Sequence, residues 1–204
     1  MRFVTLDSQM QICLMRRRLL PPFAPFKGRY VIAPKYKLGN CLIEKVMSTF
    51  HNSLFCYLNK PWLYGEGKKS LNDGIWDDRH PENEYSYEDK TRIFHFAPMT
   101  WYCPSIASFN FVSVIRYDML QREEMAKKYD HVLQIAGVPM QQRSYIRAEF
   151  MGSLPPHATW NKTDRVDIEN KLLSSTNLLG IFLQLYYHDF VIFGYDFPTP
   201  KYTQ

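Results

Sequence analysis

Hydrophobic and polar positions alternate along the chain in blocks that predict strands and helices. The run RYVIAP at 29–34 has the composition of a short buried strand, and Pro34 ends it. Apolar residues then recur at helical spacing between 42 and 58, with Asn40 as the predicted N-cap. An asparagine, a lysine and a proline end this helix. The first block is therefore predicted to be a strand followed by a helix.

The second half of the chain repeats this order. FNFVSVIRY at 109–117 predicts another buried strand. Helical segments follow at 119–137, 141–152 and 163–195; the last seven residues of the third either finish the helix or are extended. Because strands alternate with helices, the pattern predicts an α/β fold with a mostly parallel sheet flanked by helices.

The stretch between these two halves is polar. Residues 61–92 are rich in Gly, Asn, Asp and Pro and predict a long surface loop, which is uncommon inside a compact domain. The predicted organisation is an N-terminal extension at 1–28, one domain at 29–198 that contains this loop, and a tail at 199–204.

Composition narrows the class of protein only moderately. The chain has 204 residues, 46% of them hydrophobic, which indicates a globular protein with a sizeable core. The formal net charge of +5 is mild and favours an anionic ligand. Nucleic acid is not the expected partner, because no RNP, zinc or helix-turn-helix signature is present.

Four cysteines, at 13, 41, 56 and 103, lack the spacing of a metal site, so no metal is expected. They predict buried free thiols or at most one disulfide. No run of about 20 apolar residues occurs, so no membrane span, anchor or signal is expected in this chain.

Positive charge is concentrated between the first predicted strand and helix. Lys35 and Lys37 lie in a glycine-containing loop, and Lys45 is placed to reach back to it. The first amides of a helix have no internal partners and lie at the positive end of its dipole, so they favour an anion. Hydroxyls of Ser48 and Thr49 follow. The pattern suits a phosphate but is not a Walker A loop, and solvated lysines are the alternative interpretation.

Three stretches resemble a known family. APKYKLGNCLIEKVMSTF at 33–50 resembles the 5′-phosphosulfate-binding segment, P-K-x-G-C-T-x-x-K, of Golgi carbohydrate sulfotransferases of the chondroitin/HNK-1 type, most like their divergent nematode branch. Residues 95–118 are similar to the family's H-x-x-P…C segment. Residues 157–198 are similar to its C-terminal block, which ends in Y-x-x-D-F-x-x-F-x-Y.

The resemblance implies a P-loop-like sulfotransferase fold and a reaction. The sulfuryl donor would be 3′-phosphoadenosine 5′-phosphosulfate (PAPS), the acceptor a sugar hydroxyl of a chondroitin-like glycan, and the compartment the Golgi lumen. Cys41-x-x-x-Lys45 matches the family's C-x-x-x-K, and the earlier lysine is either Lys35 or Lys37. Leu42 stands where the family has a threonine. No metal is implied.

The same resemblance implies roles for other residues. Lys37, Lys45 and Lys35 would hold the donor's 5′ phosphate and its bridging oxygen. The general base would be His95 or His157, and a structural histidine is the alternative for each. Independently of this resemblance, Asn161 in Asn-Lys-Thr fits the N-glycosylation sequon and is a predicted glycosylation site.

One motif of the family is missing. Its R-D-P-x-x-R strand, which grips the donor's 3′ phosphate, is expected where this chain has the polar loop. Arg116 is the predicted substitute, with Arg122 soon after it. The chain is therefore either a sequence that lacks an internal segment or a shortened homologue. The alternative function is a catalytically impaired homologue that binds polyanions or glycans.

Overall fold

The computed structural model of the chain describes residues 19–24, 26, 28–65, 68–73, 95–103, 112–152 and 163–201. Its strands and helices, in chain order, are β1 Arg29–Ala33, β2 Leu38–Leu42, α1 Ser48–Asn59, α2 Met99–Tyr102, α3 Arg122–Ile135, α4 Met140–Met151, α5 Thr163–Ser174 and α6 Thr176–Phe193. Short 3-10 turns occupy Pro34–Tyr36, Pro61–Leu63 and Met119–Gln121. Predictions for most of 1–28, for 74–92, 109–111, His157, Asn161 and 202–204 lie outside the described residues.

Two compact units make up the chain. A central unit lies within Phe26–Ala97 and Ser105–His157, and a terminal unit within Met1–Pro25, Pro98–Pro104 and Ala158–Gln204. The predicted single domain from 29 to 198 stays a prediction.

The central unit begins with a hairpin. β1 and β2 pair antiparallel, with Arg29 opposite Leu42 and Ala33 opposite Leu38. The 3-10 turn between them ends at Lys37, whose left-handed backbone (φ 48°) reverses the chain. The predicted strand at 29 is confirmed, but its burial is wrong. Tyr30 and Ile32 are exposed because one face of a two-stranded sheet remains in solvent.

The predicted start of the first helix is wrong. Residues 38–42 form β2, and α1 begins only at Ser48, so Asn40 lies in a strand and caps no helix. Apolar residues of β2 fit a helical period as well as a strand, and hydrogen bonding to β1 decides between the two. The end of the helix at Asn59 is confirmed.

Apolar residues of α1 build the core of the central unit. Phe50, Leu54 and Leu58 are buried on one face of the helix, as their spacing predicts. They pack with buried residues of α3 and α4 (Met125, Ala126, Leu133, Ile146 and Phe150). The Phe50 and Phe150 rings meet edge to face with their centroids 5.5 Å apart. This core fixes both ends of α1 relative to α3 and α4.

Residues after α1 are partly buried, contrary to the predicted surface loop. Tyr64 and Leu71 belong to the core of the central unit. The Glu149 carboxylate accepts hydrogen bonds from the Ser70 hydroxyl (2.5 Å) and the Leu71 amide (2.9 Å). A carboxylate far along the chain therefore holds the described part of this segment against α4.

The second predicted strand is absent where the structure describes it. Residues 112–118 have no regular secondary structure, and Val112 and Val114 are exposed because no neighbouring strand covers them there. The two helices that follow are confirmed as α3 and α4, and Gly137 adopts the predicted helix-ending left-handed backbone (φ 77°).

The terminal unit contains α2, α5 and α6. The predicted helix at 163–195 divides at Ser175, whose hydroxyl accepts a hydrogen bond from the Leu178 amide and begins α6. Residues 189–193 finish this helix, which ends at Gly194 with a left-handed backbone. Serine is an ordinary N-cap, and here that property outweighs the continuous apolar pattern.

Strands and helices together confirm a mixed α/β class. The sheet in the part of the chain described is two-stranded and antiparallel, so the predicted parallel pairing is not found there. Among these residues, no helix combines the length and apolar character needed to cross a membrane.

Candidate functional site

A strained loop joins β2 to α1. Within residues 43–47, Lys45 (φ 63°) and Met47 (φ 57°) both have left-handed backbones, a conformation that residues other than glycine and asparagine rarely adopt. The Val46 amide closes a turn onto the Ile43 carbonyl at 3.3 Å. Strain of this kind costs on the order of 1 kcal/mol per residue and is concentrated at functional sites. The loop is therefore the first candidate for a binding site.

The N-terminal end of α1 favours an anion. The His51 amide is bonded to the Met47 carbonyl, and no side chain of the described residues caps the helix. The amides of Ser48, Thr49 and Phe50 precede the first intrahelical bond, at the positive end of the helix dipole. Lys45, whose side chain is exposed, adds a full positive charge beside them. The arrangement suits a phosphate or sulfate group.

His95 lies near this loop. Its pKa is lowered from the usual value, first by partial burial and then by the positive charge of Lys45. The imidazole is therefore held towards its neutral form, which can accept a proton. Of the predicted site residues, Lys45, Ser48, Thr49 and His95 are the ones that the structure brings into one region.

Glu44 is a site residue that the sequence analysis missed. Its carboxylate accepts hydrogen bonds from the Ser48 hydroxyl (3.1 Å) and from the guanidinium of Arg29 in β1. Ser48, predicted to bind phosphate, is therefore directed to an internal carboxylate. The signal available in the sequence was the four-residue spacing of Glu44 and Ser48, which gave no sign of Arg29.

Lys35 and Lys37 lie elsewhere. Both belong to the turn of the hairpin, whereas Lys45 follows the opposite end of β2, a strand of five residues and roughly 16 Å at ~3.3 Å per residue. The Lys35 ammonium lies 5.2 Å from the centre of the Tyr36 ring. The structure therefore does not bring the turn lysines together with Lys45, and the expected convergence of these charges is not found.

The two arginines proposed for a 3′ phosphate differ in their surroundings. Arg116 is exposed in the irregular segment before α3. Arg122 donates to the Phe150 and Gly152 carbonyls and lies over the Phe150 ring, so its role is structural. His157 and Asn161 lie outside the described residues.

A buried carboxylate stabilises the terminal unit. The buried carboxylate of Asp189, in α6, accepts hydrogen bonds from the Met99 amide (2.7 Å) and the Thr100 amide (3.0 Å). Burial raises the pKa of Asp189, and these two amides partly offset that effect. The C-terminal block therefore anchors α2, which follows the H-x-x-P sequence.

The described cysteines differ in oxidation state. Cys41 and Cys103 are each disulfide-bonded, and Cys56 is a free thiol. Of the predicted alternatives, disulfide formation is therefore the one that applies to these two residues. The described residues hold no group of three or more His, Cys, Asp or Glu side chains that could bind a metal ion.

Comparison with known proteins gives the class. A family model described as "Sulfotransferase family" matches residues 74–196, more than half of the chain. The chain belongs to the sulfotransferase family, which is a family of transferases. The match includes His95 and Arg116 but begins after the loop at 43–47.

Relatives from Caenorhabditis elegans share part of this sequence. Uncharacterized protein C18B2.2 is 21% identical over 266 residues, which cover 92% of this chain and 75% of that protein. Carbohydrate sulfotransferase chst-1 is 35% identical over 74 residues, which cover 35% of this chain and 22% of that protein. The resemblance to nematode carbohydrate sulfotransferases is thereby confirmed. No solved structure matches.

The alignment with C18B2.2 extends over 266 positions, which is more than the 204 residues of this chain. C18B2.2 therefore contains segments that this chain lacks. The chain spans only about a fifth of chst-1.

Proposed function

We propose that this chain is a carbohydrate sulfotransferase with a P-loop-like fold that uses PAPS as donor and a glycan hydroxyl as acceptor. The observation that carries the proposal is the strained loop of Lys45 at the start of α1, next to His95, in a member of the sulfotransferase family. The relative chst-1, named as a carbohydrate sulfotransferase, supports a sugar acceptor. A chondroitin-like acceptor is part of the proposal.

The loop and helix amides would hold the donor's 5′ phosphate. Sulfuryl transfer needs an aligned acceptor and support for negative charge on the leaving phosphate oxygen. The acceptor oxygen forms a bond to sulfur while the bond from sulfur to the bridging oxygen breaks, and its electron pair stays on the phosphate. Lys45 stabilises that charge. His95 accepts the proton of the acceptor hydroxyl, as its lowered pKa favours the neutral imidazole.

Glu44 regulates access to this site. Its carboxylate occupies the Ser48 hydroxyl, so Ser48 must exchange Glu44 for the incoming phosphate. Thr49, one residue further along, supplies the second hydroxyl. Arg116 is proposed to bind the 3′ phosphate in place of the missing R-D-P motif.

The Golgi lumen is the proposed location. The disulfide-bonded state of Cys41 and Cys103 supports an oxidising compartment, where such bonds persist. Glycosylation of Asn161 would agree with it.

Binding of 3′-phosphoadenosine 5′-phosphate, the donor's product, tests the proposal by calorimetry. Lys45→Asn removes the charge with a residue that tolerates a left-handed backbone. We expect about a tenfold loss of affinity, as for one charged hydrogen bond of about 1.5 kcal/mol. Lys37→Asn is the matched control, because Lys37 is also an exposed, left-handed lysine. Equal losses in both variants, or no binding by the folded wild type, would refute the assignment of the loop.

A glycan-binding protein without turnover is the second candidate function. The observation that favours it is the internal carboxylate of Glu44 in the loop, together with the segments that C18B2.2 has and this chain lacks. Transfer of labelled sulfate from PAPS to chondroitin separates the two. Transfer that is lost in His95→Ala supports the enzyme. Binding of chondroitin without any transfer supports the second candidate.

A further inference from the structure

A cavity opens at the other end of α1. Its volume is about 490 Å³, and it lies entirely within the central unit. α1 has 12 residues, so roughly 18 Å of helix at ~1.5 Å per residue separates this cavity from the loop of Lys45. Lys35, which does not reach that loop, is one of the lining residues. The cavity is therefore a second place where a ligand can meet a positive charge.

Aromatic rings form much of the cavity wall. Tyr57 of α1 meets the Tyr145 ring of α4 at 4.8 Å between centroids, and it meets Tyr64 edge to face at 5.6 Å. Tyr57 and Tyr64 are more than nine-tenths buried, so they support the ring of Tyr145, which is partly exposed. Pro61 and Pro139 add further apolar surface. A partly exposed ring that is supported in this way can contact the apolar face of a ring-shaped ligand.

Apart from tyrosine hydroxyls, the described lining of the cavity has few polar side chains, and its one charged side chain is positive. Gln141 and Gln142 present amides from the first turn of α4, and Gln142 is fixed by the Tyr36 hydroxyl, which donates to it at 2.6 Å. Lys35 supplies the charge. No acidic side chain is among the lining residues that the structure describes. The lining therefore favours a ligand that carries hydroxyl groups and a negative charge.

The surface beside the cavity continues this chemistry. Trp62, between the lining residues Pro61 and Tyr64, is 65% exposed. Lys68 is fixed to the same segment, because its ammonium donates to the Trp62 carbonyl at 2.9 Å. Lys60 and Lys69 are exposed nearby in the chain. Exposed aromatic and basic residues therefore adjoin the cavity-lining segment along the chain.

From this arrangement we infer that the cavity of Lys35, Tyr57 and Tyr145 binds an acidic sugar unit of a glycan, at a site separate from the loop of Lys45. The Tyr145 ring contacts the sugar's apolar face, the glutamine amides bind its hydroxyls, and Lys35 pairs with its carboxylate or sulfate. The choice of a saccharide among ring-bearing anions rests on the proposed function. Such a site would hold a long acceptor chain several sugar units away from the reacting hydroxyl.

Calorimetry with a chondroitin sulfate hexasaccharide tests this inference on the full chain. Gln141→Trp fills the cavity from an exposed position, and we expect at least a tenfold loss of affinity. Ser144→Trp, exposed on the same helix but outside the cavity, is the control and should bind as the wild type does. If both variants bind normally, the cavity is not the site.

Charge is tested separately. Lys35→Ala should weaken binding about threefold to fivefold, as for an exposed ion pair. Lys37→Asn, two residues along the same turn and outside the cavity, should change it much less. Equal losses would show diffuse attraction of a polyanion and overturn the inference. Equal binding of the uncharged oligosaccharide chitohexaose would overturn the requirement for an acidic sugar.

The same variants distinguish this inference from the proposed function. Lys35→Ala and Gln141→Trp should leave the affinity for 3′-phosphoadenosine 5′-phosphate unchanged, and Lys45→Asn should leave hexasaccharide binding unchanged. Nucleotide binding with no effect of Gln141→Trp on the glycan would refute the cavity alone. Glycan binding that depends on the cavity, without nucleotide binding, would refute the donor site alone.

Discussion

At its N-terminal end, α1 begins in a strained loop with Lys45, whereas at its C-terminal end it borders a cavity lined by tyrosine rings. The first end offers backbone amides, a helix dipole and the long cationic side chain of Lys45, which suit a small, highly charged group. The second offers fixed apolar faces with two amides and one ammonium, which suit a larger ring with a single charge.

The two ends also differ in how they are already occupied. Glu44 places a carboxylate against Ser48 and Arg29 at the N-terminal end. The described lining of the cavity contains no acid that could pair with Lys35 in this way. The two ends of α1 therefore carry two candidate anion sites. At the N-terminal end the Glu44 carboxylate competes with the anion, and at the cavity no described acidic side chain does so. Substitutions can remove both sites together or change one of them.

The largest effect is expected from Phe50→Ala, which removes a core contact of the helix that carries both ends. Phe50 is 2% exposed and packs against Phe150, so its loss should cost about 3–5 kcal/mol of unfolding free energy. Denaturant unfolding measures the loss. Phe50→Leu, which keeps most of the volume, is the control.

Binding should respond in the same direction at both ends. We expect Phe50→Ala to weaken binding of nucleotide and of hexasaccharide together, because α1 positions both sites. Retention of either one at full affinity would show that this end is held without the core of α1.

Acid should weaken the same core through His51. Burial lowers the pKa of His51 from 6.5 to about 4, with Nε2 2.5 Å from the Tyr129 hydroxyl. Between pH 6.5 and about pH 4, His51 binds a proton in the unfolded chain but not in the folded protein. Stability therefore falls as the pH is lowered from 6.5, by about 3 kcal/mol at pH 4.

His51→Gln provides the comparison for that titration. Glutamine keeps a polar partner for Tyr129 but does not titrate, so unfolding free energies of the variant should lose this part of the slope between pH 6.5 and 4. Parallel pH profiles for the two proteins would contradict the assignment to His51.

A smaller effect, confined to one end, is expected from Glu44→Gln. Loss of the ion pair with Arg29, which is partly exposed, should cost about 0.5–1 kcal/mol of stability. Release of Ser48 and Arg29 should raise the affinity for 3′-phosphoadenosine 5′-phosphate about threefold. Hexasaccharide binding should not change. Glu124→Gln, on the exposed face of α3 and paired with Lys127, is the matched control. Weaker nucleotide binding in Glu44→Gln would mean that Glu44 supports the site.

Local signals were sufficient for some elements. α3 and α4 were predictable because glycine and proline punctuate them and their apolar residues recur at helical spacing. The end of α1 and the loop charge of Lys45 were equally visible. β2 was not, because residues 38–42 are compatible with either period and only pairing with β1 makes them a strand.

For this protein, the sequence alone determined the family resemblance, the helices α3 and α4, and Lys45 and His95 as members of one candidate site. Only the tertiary structure decided which charges meet. Arg29 reaches Glu44 across the hairpin, and Lys35 lies at the cavity while Lys45 lies at the helix start. The physical reason is that spacing along a chain fixes neighbours within a few residues, whereas strand pairing and burial of α1 set the distances between residues far apart in sequence.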